Sequence, residues 1–371
     1  MKKINWRKFI KNITQFGNLS SIYEKTKVIN YWPQRLYRHN INKFFKKKKG
    51  YIFEIYGIDS NLFSLNNYSK VKKIKKNINQ DCRKINLHNL NFIPDAIIYL
   101  AAVSNDPMGK KYKTATQEIN FKNCIKIAKQ AKNLKIKKFI FASSCSMYGS
   151  TGNKLKKEND QLNPLTDYAV SKVRSEKYLK KLSSNKFKVF ALRFATAAGM
   201  SNNLRLDLVF NDFVANSVLE KQIILLSNGQ SWRPLIHVND IAKSIFWALN
   251  YKLKRNFIAI NIGSETWTFK IIDLAKKIAK IIPDTKIHIN NADNFDKRSY
   301  RVNFNLFKKL APKYQPTSNI KKSVIELAKF LKKEKKNLKN FRKLPKWSRL
   351  SRLNYLVKNN TIDKRLYLKN D

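Results

Sequence analysis

No run in this sequence approaches the ~20 consecutive apolar residues of a membrane-crossing helix. The basic start Met1-Lys2-Lys3 is followed by no apolar signal core, so no membrane partner and a cytoplasmic location are expected. Acidic residues are scarce: 24 against 77 Lys plus Arg, a formal net charge of +53. Such a balance raises nucleic acid as a partner. Here, however, Lys, Asn and Ile are all abundant, as an AT-rich genome would produce, and the lysines are scattered over presumptive helix faces. Nucleic acid is therefore not expected as the main partner. Cysteine is limited to Cys82, Cys124 and Cys145, in no paired spacing. That argues against a disulfide framework and for structural thiols in a reducing compartment. The histidines, His39, His88, His237 and His288, stand in no metal-ligand motif, so no metal is expected. Glycine is sparse, and no glycine-rich phosphate loop precedes Tyr51. What is present excludes wholesale disorder: 43% of residues are hydrophobic, and 371 residues can bury a large core in one two-part domain or two.

The most informative residues are Tyr168 and Lys172, in the run Thr166-Asp167-Tyr168-Ala169-Val170-Ser171-Lys172. Four residues apart, they share one face of a helix. The stretch from Tyr168 to Leu182 reads as that helix, with Val170, Val173 and Leu179 on its apolar side. An ammonium beside a phenol favours the phenolate, bringing Tyr down from its unperturbed ~10 toward working pH. Such a Tyr can take a proton from a sugar hydroxyl while a hydride leaves the same carbon. By spacing alone, coincidence on an exposed helix is the better reading; the surroundings overturn it. Upstream, Lys138–Ser144 is an apolar run ending in small hydroxyl residues, and Asp95–Val103 reads the same way. Both read as buried parallel strands opening at their carboxyl ends, where α/β sheets place ligands. Between them an amphipathic helix is expected from about Thr116 to Leu134. Phe187–Phe194 gives a further strand. Strands alternating with helices predict an α/β fold built on a doubly wound, Rossmann-like parallel sheet.

These motifs together resemble the extended short-chain dehydrogenase/reductase family, in its nucleotide-sugar epimerase branch. The resemblance covers roughly Tyr51 to Lys322. It is carried by Leu100-Ala101-Ala102, Glu118-Ile119-Asn120, the Ser-rich strand end with Tyr148-Gly149, and Tyr168-x-x-x-Lys172. Leu192-Arg193-Phe194-Ala195-Thr196 and Arg233-Pro234-Leu235-Ile236-His237-Val238-x-Asp240 complete it. The resemblance implies NAD as cofactor and a nucleotide sugar as substrate. By it, Tyr168 is the acid/base, Lys172 holds the nicotinamide ribose, and Ser144 bonds the reacting oxygen. Asn120 supports the strand end beneath the nicotinamide. Asp59 grips a ribose diol, Asp81 and Arg83 form the adenine-edge pair, and Leu100, Ala101, Ala102 and Ser143 border the cofactor. Ser104, Thr196, Asn211, Arg233 and Arg298 fall where relatives hold the substrate, with arginine suited to the diphosphate through its planar fork. A homodimer through two helices is usual among such relatives.

One departure stands out. The family opens with a strand, Gly-x-x-Gly-x-x-Gly and a helix, whose backbone approaches the pyrophosphate. Here the corresponding stretch is Val28–Lys43, with Pro33, Arg35, Arg38 and His39, which reads as a poor strand and a poor phosphate loop. Shifting the reading frame forward by one base turns Trp32-Pro33 into an obligatory glycine codon. It also permits Leu-Ile-Thr-Gly-x-x-Gly-Tyr-Ile-Gly across Ile29–Arg38, and the codons of Lys46–Lys49 offer a place to restore the frame. Residues from about Lys27 to Lys49 are accordingly expected to be out of frame, the rival being a divergent N-terminus. As written, the chain is expected to leave the strands flanking its first βα turn without a partner, and to bind NAD weakly or not at all.

The expected organisation is an anomalous segment, 1–50; a cofactor part, 51–195 plus 235–262; a substrate part, 196–234 plus 263–330; and a basic tail, 331–371, ending in an amphipathic helix. Within these, Trp267 to Ile282 and Ile320 to Leu331 read as helices, and Asp296–Tyr300 as a loop over the substrate. Lys332–Lys346 reads as a solvated charge run. The expected activity is epimerisation, at C4 of a hexose, by transient oxidation and re-reduction. A nucleotide-sugar reductase or dehydrogenase uses the same Tyr and Lys and stays open, as does a non-catalytic relative that only binds nucleotide sugar. A 4,6-dehydratase is disfavoured because Cys145-Ser146 stands where such relatives carry Asp-Glu.

Overall fold

The computed structural model of the chain describes residues 26–31, 53–63, 76–201, 203–290 and 298–369. In chain order its strands are β1 (Thr26–Tyr31), β2 (Phe53–Asp59), β3 (Lys76–Asn79), β4 (Ala96–Tyr99), β5 (Lys138–Ser144), β6 (Ser150–Lys156) and β7 (Lys188–Phe194). There follow β8 (Thr196–Ala198), β9 (Gln222–Leu225), β10 (Trp232–His237), β11 (Phe257–Ile262), β12 (Thr268–Lys270), β13 (Lys286–Ile289) and β14 (Ser299–Val302). Seven of them form one parallel sheet in the order β3-β2-β1-β4-β5-β7-β11. The chain builds outward from β1 in one direction and then, from β4, in the other. The topological switch point, where open α/β sheets bind ligands, lies between β1 and β4.

Alternate residues of each strand enter opposite cores. Val28, Ile55, Ile98, Ile140 and Phe190 pack beneath the helix Val238–Asn250. Ile29, Tyr56, Ile97, Phe139 and Val189 pack under the helix Cys124–Asn133 and Leu179. Burial on both faces is why these strands read as continuous apolar runs. A separate core joins the helices Val209–Leu219, Ile271–Ile281 and Ile320–Lys333 with Trp347. A fourth cluster seats the last helix, Arg349–Lys358, and Leu366 against Val103, Met108 and Tyr112.

Several expectations change. The neighbours of the first strand do not lack a partner: Thr26–Tyr31 pairs in parallel with both β2 and β4, because Val28 and Ile29 bury fully. The loop after it, with Pro33, Arg35 and Arg38, lies outside the described residues, as does Lys46–Lys49. The helix Asp167–Leu182 buries Ala169, Lys172, Ser175, Glu176 and Leu179, while Val170 and Val173 are half-buried. Its inward face is largely polar because it borders a site. The helix expected from Trp267 begins at Ile271, since Thr268–Lys270 pairs antiparallel with β10. Ser299–Val302 is a strand on β6, its register running from Ser299 opposite Ser150 to Val302 opposite Lys156; Asp296 and Lys297 lie outside the described residues.

Candidate active site

The helix carrying Tyr168 starts where Thr166, its N-cap, accepts a bond from the Ala169 N–H at 3.2 Å. That fixes the first turn, and with it the face shared by Tyr168 and Lys172. Lys172 is only 1% exposed. Its Nζ donates to the Ala142 carbonyl at 2.7 Å, lies 4.6 Å from the Phe141 ring centroid and 5.6 Å from that of Tyr168. A buried ammonium needs such compensation. It stands at the carboxyl end of β5, beside the phenol.

Asn120 ties this helix to the neighbouring strand end. It accepts from Val103 N–H at 2.8 Å, donates to the Val103 carbonyl at 3.0 Å, and donates to Ser171 Oγ at 3.1 Å. It sits in a π-helical turn, Gln117–Asn123, and its own carbonyl accepts from Ser175 Oγ at 3.0 Å. Beneath lies a buried pair: the Arg193 guanidinium grips Glu176 at 2.7 Å and donates to Tyr148 Oη at 2.9 Å. Burial, only partly offset by Arg193, pushes the Tyr148 phenol far up, and its O–H donates to Asn261 Oδ1 at 2.8 Å. Tyr148 is thus a structural phenol. Ser144 Oγ lies 2.9 Å from Ser146 Oγ at the mouth of the strand.

A cavity of about 530 Å³ opens above these groups, a size usual for small-molecule sites. Ser144, Tyr168 and Lys172 line it together with Ser143, Ser104 and Thr196, and so do Arg233 and Arg298. Of the residues expected to hold substrate, Asn211 does not reach it. Fully buried, its amide bonds the Gly199 N–H at 2.9 Å and the Arg205 carbonyl at 2.8 Å, bracing the loop that carries Arg205. Arg233 is held by the Trp232 carbonyl at 2.9 Å and lies 5.5 Å from the Tyr300 ring. Arg298 pairs with Asp106.

Two further arginines enter from segments that sequence reasoning passed over. Arg205 grips Asp207 at 2.7 Å and donates to Ser104 Oγ at 3.1 Å. Arg342 binds Asp212 with two bonds of 2.8 Å. It lies within the stretch read as a solvated charge run and is 49% exposed, yet it forms part of the cavity wall. The Arg205-x-Asp207 alternation was a legible signal; Arg342 had none, because its partner is 130 positions away.

The cofactor residues divide. Asp59 is buried at the end of β2, where Oδ1 accepts from the Asn61 N–H at 2.8 Å. Asp81, Ala101 and Ala102 line a second, smaller cavity that shares Ser104 and Arg205 with the first. Leu100 instead packs in the core. Arg83 is engaged by protein groups. It forks onto Asp81, reaches Glu118 at 3.0 Å, donates to the carbonyls of Arg365 and Leu366, and stacks 3.4 Å over the Tyr367 ring. A carboxylate at the β2 end, two alanines that let a ligand approach β4 closely, and a buried ammonium beside a phenol fit NAD along this edge of the sheet. Among the described residues no cluster could hold a metal, and no helix is long and apolar enough to cross a membrane.

The chain matches the NAD dependent epimerase/dehydratase family over residues 45–263. It is 27% identical over 206 residues to a putative UDP-glucose 4-epimerase of Methanocaldococcus jannaschii, covering 54% of this chain and 66% of that protein. It is 30% identical over 150 residues to an uncharacterized UDP-glucose epimerase of Bacillus subtilis, covering 39% of this chain and 45% of the other. It thus spans less than two thirds of the length of these relatives. Its fold is similar to that of the UDP-glucuronic acid 4-epimerase of Bacillus cereus solved with UDP-glucuronic acid and NAD. There the TM-score is 0.69 at 20% identity, over 83% of this chain and 99% of that one.

Proposed function

The chain belongs to the NAD dependent epimerase/dehydratase family, and from that premise we propose that it inverts a carbinol carbon, C4 of the hexose, in a nucleotide-activated sugar. The observation that carries this reading is a single cavity lined both by proton-transfer groups, Ser144, Tyr168 and Lys172, and by anion-binding groups, Arg233 and Arg298. The arginines offer charge and planar forks to a diphosphate. Fixing the nucleotide there sets the hexose against Tyr168.

Tyr168 takes the proton of the sugar hydroxyl, and Ser144 Oγ bonds the same oxygen as it becomes a carbonyl. NAD held along this edge of the sheet by Asp59, Ala101, Ala102 and Lys172 would supply the redox chemistry, the reversible uptake of one hydride from that carbon. Tyr168 then gives the proton back. Lys172, fixed by the Ala142 carbonyl, holds positive charge beside the phenol throughout. Positioned proton transfer contributes typically 10²–10⁴-fold. Cys145-Ser146, which offers no carboxylate pair for elimination, supports epimerisation over dehydration.

The test is turnover of UDP-glucose, UDP-N-acetylglucosamine and UDP-glucuronic acid to their C4 epimers. The Tyr168→Phe variant is expected to lose about 10²–10⁴-fold in kcat with an unchanged thermal midpoint. Unchanged turnover in that variant would remove the assignment.

A further inference from the structure

In a doubly wound sheet a dinucleotide's pyrophosphate lies beyond the first strand, and its ribose meets the carboxylate that closes the second. Here that carboxylate is Asp59 on β2, so the base continues outward over the carboxyl ends of β2 and β3. Ser60, Asp81 and Cys82 follow those ends, yet the space beside them is closed down to about 60 Å³, room for a few waters. Small-molecule sites take roughly 300–1,000 Å³. The C-terminal segment helps to close it, through Leu353 and Leu366.

That segment is anchored at one end and latched at the other. Its helix, Arg349–Lys358, lies far beyond the family-matched residues 45–263. It is seated by Arg352, which donates to the Leu62 carbonyl at 2.9 Å, and by Asn354, which accepts from Tyr112 Oη at 2.9 Å. The chain turns at Asn360, φ +56°, a conformation Asn tolerates, into a hairpin closed by the Ile362–Leu368 bridge. The hairpin rests on Arg83. That guanidinium donates to the Arg365 carbonyl at 2.7 Å and the Leu366 carbonyl at 2.9 Å, and stacks 3.4 Å from the Tyr367 ring centroid. A flat aromatic face on a guanidinium is also what a purine presents. Leu366, only 3% exposed, is held at φ +63°, which a bulky side chain rarely adopts. Strain of this kind persists only where the surroundings impose it.

We propose that the hairpin around Leu366 and Tyr367 is an autoinhibitory strap. It takes the place of the cofactor's base, Tyr367 covering Arg83 as the base would, and NAD binds as the strap lifts. Lifting frees Asp81 and Arg83 for the base. The apparent affinity is then the intrinsic one reduced by the fraction of chains with the strap raised. Such a strap goes beyond the proposed epimerisation: it presupposes NAD as cofactor and no particular sugar.

Calorimetry on the full chain with ADP-ribose and adenosine tests it, joined to hydrogen exchange. Tyr367→Ala is expected to tighten both ligands by the same factor, about tenfold, as loss of one stacked cation allows. Arg365→Ala, at an exposed side chain, removes the ion pair to Glu118 and should also tighten ADP-ribose, although it takes away a positive charge. Unmoved thermal midpoints show that both variants keep the fold. In the parent, saturating ADP-ribose should speed exchange at the Leu366 and Lys369 amides, which the hairpin bonds to the Asp363 and Thr361 carbonyls. Slower exchange there would make the hairpin a lid that closes on the ligand, and overturn the proposal. Unchanged or weaker affinity in both variants, or no binding by parent and variants alike, overturns it too. No sugar nucleotide enters this assay, so its outcome leaves the epimerisation test untouched.

Discussion

Strand β5 takes an ammonium out of water at each end. Lys172 meets its carboxyl end at Ala142 and serves the site. Lys138 opens the strand and donates to the Leu249 carbonyl and, at 3.2 Å, to that of Tyr251. Burial lowers the Lys138 pKa from its ordinary 10.5 to about 8. The unfolded chain therefore binds the extra proton between those values, and stability carried at this residue rises as pH climbs from about 8 to about 10.5. Against Lys138→Met, the parent should gain in denaturant midpoint over that window; parallel curves would refute the assignment. Deeper in, Glu176 and Arg193 form a closed pair with Tyr148. Glu176→Gln leaves a buried guanidinium short of its counter-charge, and a loss of about 3–5 kcal/mol is expected in chemical denaturation. Cys82, packed against Asp81, has its thiol pushed up to about 12, mainly by burial. It should resist alkylation at about pH 8 in the native chain and react once the chain is unfolded.

Among elements, the C-terminal hairpin closed by the Ile362–Leu368 bridge depends on a latch supplied from the cofactor half. Arg83 provides it, through the carbonyls of Arg365 and Leu366 and the stack on Tyr367; Glu118 adds a contact to Arg365. Arg83→Ala should loosen this hairpin before the sheet, seen as faster hydrogen exchange at the Leu366 and Lys369 amides. A uniform change over the whole chain would contradict a local latch. The loop after β1 is the second element with a consequence. Codons 25–50 of the gene decide the frame reading: AGA at Arg35 and Arg38 would turn the shifted glycines into aspartates and end it. If the frame is shifted, a restored chain carrying Gly-x-x-Gly-x-x-Gly should bind NAD more tightly than the chain as written.

The whole molecule carries its charge of +53 into any encounter with an anionic sugar nucleotide. Steering of that kind weakens with salt. Raising ionic strength from about 0.05 to about 0.5 M should lower kcat/KM while leaving kcat nearly unchanged, read in initial rates of epimer formation. Loss in kcat instead would mean that salt acts on the folded site and not on the approach to it.

Periodicity and motif order determined the parallel sheet, the helix of Tyr168 and Lys172, and the strand ends that face the cavity. Those features are local: i,i+4 spacing, apolar runs and the residues that close them. Tertiary structure alone decided which charged groups meet. Arg83 meets the carbonyls of Arg365 and Leu366, which return to it from far along the chain. Asn211 became a brace because the Arg205 loop folds over it. Arg342 reached a cavity wall from a run that composition marked as solvated. Val28 and Ile29 formed a central strand because β2 and β4 left a place between them. Pairings across such separations leave no period in one sequence; they arise when buried charge and unpaired backbone find partners in the packed chain.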